Sequence, residues 1–466
     1  MLPVTGSAQG DAEVLFLMGS PAHVRNFESV LDALARRHRL TVLFEERKPG
    51  AEEPGLRFLD NLREQHGTVR WELQPGAALG LRGALRKLLE AGLDYLRYFD
   101  PPYEASERLR ARSVAFLPAG VERSLAALLG SFPRARRLLA AALSRTARGL
   151  GDPPAIHREL AVRRPSVLIA TPLVQFRTRQ RGWVRAARRL GIGTVACVYS
   201  WDNLTNRGLM HSRPDRVVVW NEEQGRQAVE LHGVAPESVV VAGAWPYDHW
   251  PSWRPSRSRE ELLGQLGLDA KRATILYACS SPFIAERERE AVERWVRALR
   301  SAGDDRVANA NVIVRPHPLN SAQWNGGAPA EPGVVVFPPT GADPVDEAAR
   351  ADYFDSIVHA DAVVGVNTSA LIEGTILDRP AMAFPGPRFR SRQEELPHFR
   401  LLVGEPGAVM ASRSIDEHLG QLSEALADPG RDGPRRRRFV ETFIRAPGGE
   451  GPATDRLVAA VEELLP

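Results

Sequence analysis

Several short groups of residues in this chain have the types and spacing to handle a phosphorylated ligand. The strongest is Asn367-Thr368-Ser369, at the end of the apolar run Ala362–Val366, with Glu373 four residues beyond Ser369. Small amide and hydroxyl side chains beside free backbone N–H groups suit a diphosphate. A carboxylate one helical turn further on shares that face and reaches ribose hydroxyls. Ser369 can also serve simply as a helix cap. A second group follows the run Asn311–Arg315, where Pro316 and Pro318 restrict the backbone around His317. Arg315 offers a planar fork to phosphate oxygens, and the His317 imidazole is presented rigidly. Ser280 and Ser281, leaving the run Thr274–Cys279, add hydroxyls. Nearer the start, Gly19-Ser20-Pro21-Ala22-His23 follows Val14–Met18, and His23, titrating near neutrality, is available as a general base or is simply a loop histidine near a helix start. Tyr199 to Asn206 gathers Asp202, two amides and an indole, a set suited to sugar hydroxyls, to a base, or to an Asx turn. His211 stands too isolated to assign.

These groups gain meaning from the elements that must carry them. Apolar runs of strand length alternate with stretches of helical period, which predicts an α/β fold with parallel sheets covered by helices on both faces. The strands expected first are Val14–Met18, Leu40–Phe44, Val69–Leu73, Val167–Thr171, Thr194–Tyr199, Arg216–Trp220 and Val239–Ala242. Residues 76–160 read as a helical insertion, with a leucine period at Leu85, Leu88, Leu89, Leu93 and Leu96. Prolines, aromatics and serines in 246–258 have the composition of a linker, so residues 1–245 form an N-terminal domain. A second domain, 259–434, restarts the alternation with Thr274–Cys279, Asn311–Arg315, Val334–Phe337, Ala362–Val366 and Ala381–Phe384, and 435–466 is a helical tail. In open α/β sheets ligands bind beyond the carboxyl ends of strands, where all the groups above stand.

Composition narrows the classes. With 466 residues, 43% hydrophobic and 25% charged, the chain can bury a large core without staples, and its two cysteines supply neither a disulfide framework nor a thiolate metal site. That favours a reducing cytoplasm, and no apolar run reaches the length of a membrane span. The net charge of +4 is unevenly placed: residues 108–190 hold 18 Arg against Glu122, Asp152 and Glu159. Such a block reads as a face for an anionic membrane or polymer, set against the plain alternative of an arginine-rich coding bias. Nucleic acid is not expected, because no aromatic-interleaved platform accompanies the charge. The P-loop, G-x-G-x-x-G, H-E-x-x-H and G-x-S-x-G patterns are all missing, which removes the usual signals of phosphoryl transfer, dinucleotide redox chemistry, zinc proteolysis and lipase-type hydrolysis.

The strand ending in R-P-H-P, followed some forty residues later by DYFDSIVHADAVVGVNTSALIEGTILDRP, resembles the donor domain of GT-B glycosyltransferases. The likeness is nearest to the branches of capsule and surface polysaccharide synthesis and of CDP-glycerol glycerophosphotransferases. It implies two Rossmann-like domains facing a cleft, a nucleotide-sugar donor and a carbohydrate or lipid-linked acceptor. It also implies transfer without metal or cofactor, in the cytoplasm or at the inner face of the membrane. By the same resemblance Glu373 binds ribose, Asn367, Thr368 and Ser369 the diphosphate, Arg315 and His317 the phosphate or departing nucleotide, and His23 takes the place of the histidine that follows the first strand. The fold family also holds UDP-GlcNAc 2-epimerases, whose corresponding stretch is typically D-S-G-G with a following Q-E-E. Asn367-Thr368-Ser369-Ala370 with a single Glu373 counts against that branch. The other readings are a CDP-glycerol-type transferase using the same cradle and a nucleotide-binding assembly subunit without chemistry. Base, sugar, acceptor, stereochemical outcome and oligomeric state are not legible.

Overall fold

The computed structural model describes residues 12–45, 54–74, 80–120, 132–339, 341, 344, 346–448 and 451–466. The chain forms two compact units, Met1–Asp248 with Phe443–Pro466, and His249–Thr442. The first is built on seven parallel strands: β1 (Glu13–Met18), β2 (Arg39–Phe44), β3 (Val69–Leu73), β4 (Val167–Thr171), β5 (Gly193–Cys197), β6 (Arg216–Val219) and β7 (Val239–Val241). Their order is β3-β2-β1-β4-β5-β6-β7. β1 and β4 are apolar along almost their whole length because helices cover both faces of a parallel sheet, and Leu15 pairs with Thr41 on one side and Leu168 on the other. The helix α1 (Glu28–Ala35) buries Val30, Leu31 and Leu34.

The second unit has six parallel strands: β8 (Thr274–Ala278), β9 (Asn311–Arg315), β10 (Val334–Val336), β11 (Ala362–Gly365), β12 (Ala381–Ala383) and β13 (Met410–Ala411), ordered β10-β9-β8-β11-β12-β13. Every expected strand is present; β13, two residues long, carries too little pattern to be read. In both units the order reverses after the first strand. The two switch points therefore lie between β1 and β4 and between β8 and β11, where an open α/β sheet leaves a crevice for a ligand.

Between β3 and β4 lies the helical insertion, with α2 (Pro54–His66) preceding β3 and α3 (Gly80–Leu96), α4 (Glu107–Val114), α5 (Pro133–Gly149) and α6 (Pro154–Arg163) following it. Its leucine period divides. Leu85 and Leu88 in the first half of α3 are exposed, Leu93 and Leu96 in the second half are buried, and the charged residues Arg86, Glu90 and Asp94, with Arg97 just beyond the helix, are buried as well. Those charges meet partners from elsewhere in the unit. Glu90 accepts from Arg181 (3.0 Å) of the helix α7 (Gln180–Arg189), and Asp94 accepts from the Leu209 N–H (2.6 Å) and meets His211 Nε2 (2.8 Å). Arg97 donates to the carbonyls of Leu204, Arg207 and Gly208.

Part of the arginine-rich block is thereby withdrawn from the surface face expected of it. Arg181 pairs with Glu90, Arg185 and Arg189 with Asp152, Arg136 with Asp100, Arg163 with Glu72 and Arg188 with Asp215. Most of these acids lie outside 108–190, so a count of charge within that window misses them.

The unit boundaries also differ from the composition-based reading. The segment 246–258 is packed rather than extended: Trp250 is buried, and Trp253 stacks on Phe354 with ring centroids 4.7 Å apart. Its aromatics are anchors, and the division falls between Asp248 and His249. The tail splits at Thr442, and its last part returns to the first unit. Asp248 there accepts from the N–H groups of Ala453 (2.9 Å) and Thr454 (2.7 Å), capping the helix Ala453–Glu462. Gly243, at φ +95°, lies where an added Cβ would come within 3.2 Å of the Ile444 carbonyl oxygen and 3.0 Å of the Ala453 side chain, so a side chain would have little room.

Candidate functional site

The second unit gathers most of the expected residues at the carboxyl ends of β8, β9 and β11. β9 delivers Arg315, buried, with its guanidinium carbon 4.8 Å from the centroid of the Tyr353 ring. The Tyr353 hydroxyl in turn donates to Glu373 Oε2. Three elements are joined in this way: β9, the helix Glu347–Val358 and the helix Ala370–Ile376. Neither Nη1 nor Nη2 of Arg315 has an acceptor among the described residues. Burial pushes the Arg315 pKa down, offset by the facing Tyr353, Asp352 and Glu373. An unpaired buried guanidinium is costly, and oxygens supplied by an anion would relieve that cost.

β11 ends against the loop Val366–Ser369. Asn367 is buried; its amide donates to the Arg392 carbonyl (3.1 Å), while its carbonyl oxygen has no donor among the described residues. Gly365 sits so close to the Ala278 carbonyl, 2.9 Å from an ideal Cβ, that β8 and β11 touch at the switch point only because no side chain intervenes. Ser369 stands exposed at the helix start without making a capping bond, so its hydroxyl is not used up by the backbone. Thr368 lies at 3.4 Å from the Ala370 N–H.

Ser280 follows two residues after β8, and its N–H donates to Glu288 Oε2 (2.9 Å); Tyr277 donates to the other oxygen of the same carboxyl (3.1 Å). Glu288 is fully buried, and desolvation raises its pKa to about 8. Asn320 fixes the same loop by donating to the carbonyls of Ser280 (3.2 Å) and Ala285 (2.7 Å), and the Ser280 hydroxyl is left without a partner among the described residues. Ser281 accepts through its carbonyl from Ile284 and Ala285, and so shapes the turn. His317 caps the short helix Pro318–Trp324, its Nδ1 accepting from the Leu319 N–H (3.1 Å). That bond places the proton of the neutral ring on Nε2, making it a donor.

In the first unit, His23 lies at the β1/β4 switch point. Its ring packs over Gly19, 5.1 Å from the Tyr199 ring at the end of β5, and Nδ1 accepts from the Ser20 N–H (3.0 Å). Burial, aided by Arg207, lowers its pKa to about 4 rather than leaving it near neutrality. As held, His23 is a neutral ring with Nε2–H as donor, and a base role requires the Ser20 bond to break. Asp202 accepts from the Ser200 hydroxyl (2.7 Å) and from the amides of Asn203 and Asn206. It therefore ties its own turn, the Asx arrangement weighed in the sequence. His211 is paired with Asp94.

Tyr353 and Glu288 are the residues the sequence did not single out. Tyr353 lies within the quoted motif, but only the fold aligns its helix with Glu373. Glu288 carries no pattern, because a buried acid is spelled like a surface one.

The sequence matches no family profile and no curated protein. Solved structures share the fold. A protein from Listeria monocytogenes assigned as a UDP-N-acetylglucosamine 2-epimerase has 11% identity and a TM-score of 0.54 over 97% of this chain and 96% of its own. The UDP-GlcNAc 2-epimerase of Neisseria meningitidis bound to UDP-GlcNAc has 10% identity and a TM-score of 0.52 over 97% and 100%. A glycosyltransferase from Rickettsia africae has 8% identity and a TM-score of 0.51 over 98% and 99%. The chain therefore has the GT-B fold of two Rossmann-like parallel-sheet units. Epimerases and glycosyltransferases both use that fold.

Proposed function

We propose that this chain is a nucleotide-sugar enzyme whose second unit holds the donor diphosphate, and that it transfers the sugar to a carbohydrate or lipid-linked acceptor. The observation that carries the reading is the buried Arg315 guanidinium, two of its nitrogens unpaired, beside Glu373 at a β8/β11 switch point. Arg315 and the loop Asn367–Ser369 would bind the diphosphate and Glu373 a ribose hydroxyl. The Nε2–H of His317 would donate to the phosphate as negative charge develops on departure, an interaction strongest in the transition state. The corresponding loop of the first unit, with His23, is assigned to the acceptor side. Asp202, already committed to its turn, serves there by holding the loop.

The test has two stages. Thermal shift with UDP, GDP, CDP, CMP, ADP and dTDP identifies the nucleotide, because a bound ligand stabilises by mass action. The matching nucleotide sugar is then incubated with and without candidate acceptors. Acceptor-dependent release of nucleotide supports transfer. Inversion at C2 of the sugar without acceptor, seen by proton NMR, would replace it with epimerisation. Acceptor-dependent release of CMP from CDP-glycerol, as glycerol phosphate appears on the acceptor, would replace it with the glycerophosphotransferase reading. Binding without turnover would leave an assembly subunit.

A further inference from the structure

The helical insertion leaves an unusual surface. Among the described residues eight large hydrophobic side chains are exposed, and five of them, Leu81, Leu85, Leu88, Phe132 and Leu138, lie on α3, just before α5 or within its first two turns. Leu81 is 92% exposed, Leu138 74% and Phe132 59%, so these side chains stand clear of the protein. Single exposed leucines need no explanation, but five of eight at one pair of helices do.

The two helices pack antiparallel. Arg86 of α3 donates to the Ala147 carbonyl of α5 (3.0 Å), Gly92 lies beside Leu143, and Asp100 beyond α3 pairs with Arg136 (3.2 Å). This register sets the last turns of α5, with Arg145 and Arg148, next to the first turns of α3, with its exposed leucines. Arg134 and Arg137 accompany Phe132 and Leu138 at the other end. All four arginines are exposed. Unlike Arg136, Arg181, Arg185 and Arg189, they have no acidic partner among the described residues. Neither helix exposes an acid, since Glu90 and Asp94 are buried and α5 has none.

We propose that the exposed flank of the α3–α5 pair docks on an anionic lipid bilayer. Leucine and phenylalanine would enter the boundary between headgroups and acyl chains, and the unpaired arginines would meet lipid phosphates. The charge complementarity is one-sided, and the apolar side chains protrude singly rather than lining a groove for a peptide. Among the described residues no helix is long and apolar enough to cross a membrane, so the contact is peripheral. The proposal does not depend on the reaction assigned above.

Flotation of the full chain with vesicles decides it. With phosphatidylcholine containing about 30% phosphatidylglycerol the protein floats at low salt, and it stays in solution with phosphatidylcholine alone or at high salt. Each arginine near an anionic surface contributes about fivefold in affinity, so changing Arg134, Arg137, Arg145 and Arg148 together to serine weakens binding about a hundredfold or more. Leu81→Ser with Leu138→Ser weakens it at every salt concentration. Arg36→Ser with Arg226→Ser, exposed arginines elsewhere in the unit, leaves binding unchanged. Unaltered melting temperatures confirm that the variants are folded. Flotation with neutral vesicles to the same extent, equal loss in the control pair, or binding only to a soluble acidic polymer would each overturn the proposal.

Discussion

Arg315 is held in a way that separates binding from stability. Its guanidinium is desolvated against Tyr353 with two nitrogens unpaired, so the apo protein gains little from it, whereas a diphosphate gains charge-assisted hydrogen bonds. Arg315→Met is expected to leave the melting temperature of the free protein unchanged or higher, while nucleotide affinity measured by calorimetry falls by about 2–3 kcal/mol. A loss of stability equal to the loss of affinity would mean that the arginine is structural. Glu373→Ala is expected to weaken nucleotide binding by about 1–3 kcal/mol in a folded protein, and unchanged affinity would remove the ribose assignment. His317→Ala should lower turnover more than donor affinity, because its Nε2–H is asked to act on departing charge. The residues after β9 and β11 could be found in the sequence because strand ends are legible and ligands gather there. The tyrosine linking two of them could not, because it joins the site only through the packing of its helix. The histidine expected as a base, His23, shows the converse: its position was legible, but the Ser20 bond and the burial that fix its protonation were not.

At the scale of elements, the insertion is fastened to the loop after β5 by buried charge. Asp94 alone holds the Leu209 N–H and His211, and Arg97 holds three carbonyls of the same loop. Asp94→Ala leaves His211 and the Leu209 N–H without their acid while Arg181 keeps Glu90, and a cost of about 3–5 kcal/mol is expected in urea unfolding, with residues 204–211 losing protection from hydrogen exchange first. A smaller change would show that water replaces the carboxylate readily. The leucine period announced α3 correctly as a helix, yet spacing does not reveal which stripe turns inward. Here Arg86, Glu90, Asp94 and Arg97 recur with the same periodicity and are buried, because their partners come from helices and loops up to more than a hundred residues away, while of the leucines only Leu93 and Leu96 are buried and Leu85 and Leu88 face outward. The strands were easier, since a parallel strand buried on both faces is spelled by an unbroken apolar run.

For the whole molecule, buried titratable groups set opposing slopes of stability with pH. Glu288, with a folded pKa of about 8 against 4.5 when unfolded, keeps its proton in the native state while the unfolded chain releases it, so stability falls as pH rises between those values. His23 and His418, lowered to about 4 and about 3, stay neutral in the native state while the unfolded chain takes up protons below about 6.5, so stability falls as pH drops through that range. Between about pH 6.5 and 8 these histidines no longer contribute. Glu288→Gln should therefore lessen the decline there by about 1.4 kcal/mol per pH unit, read from denaturant curves. An identical slope in the variant would show that Glu288 is ionised in the folded protein. A different consequence follows from Asp248 capping the helix Ala453–Glu462. The first unit is completed by residues 443–466, which follow the whole of the second unit, residues 249–442, along the chain. A premature stop or a nick after Thr442 would therefore act as a lesion of the amino-terminal half, leaving the later-encoded half able to fold.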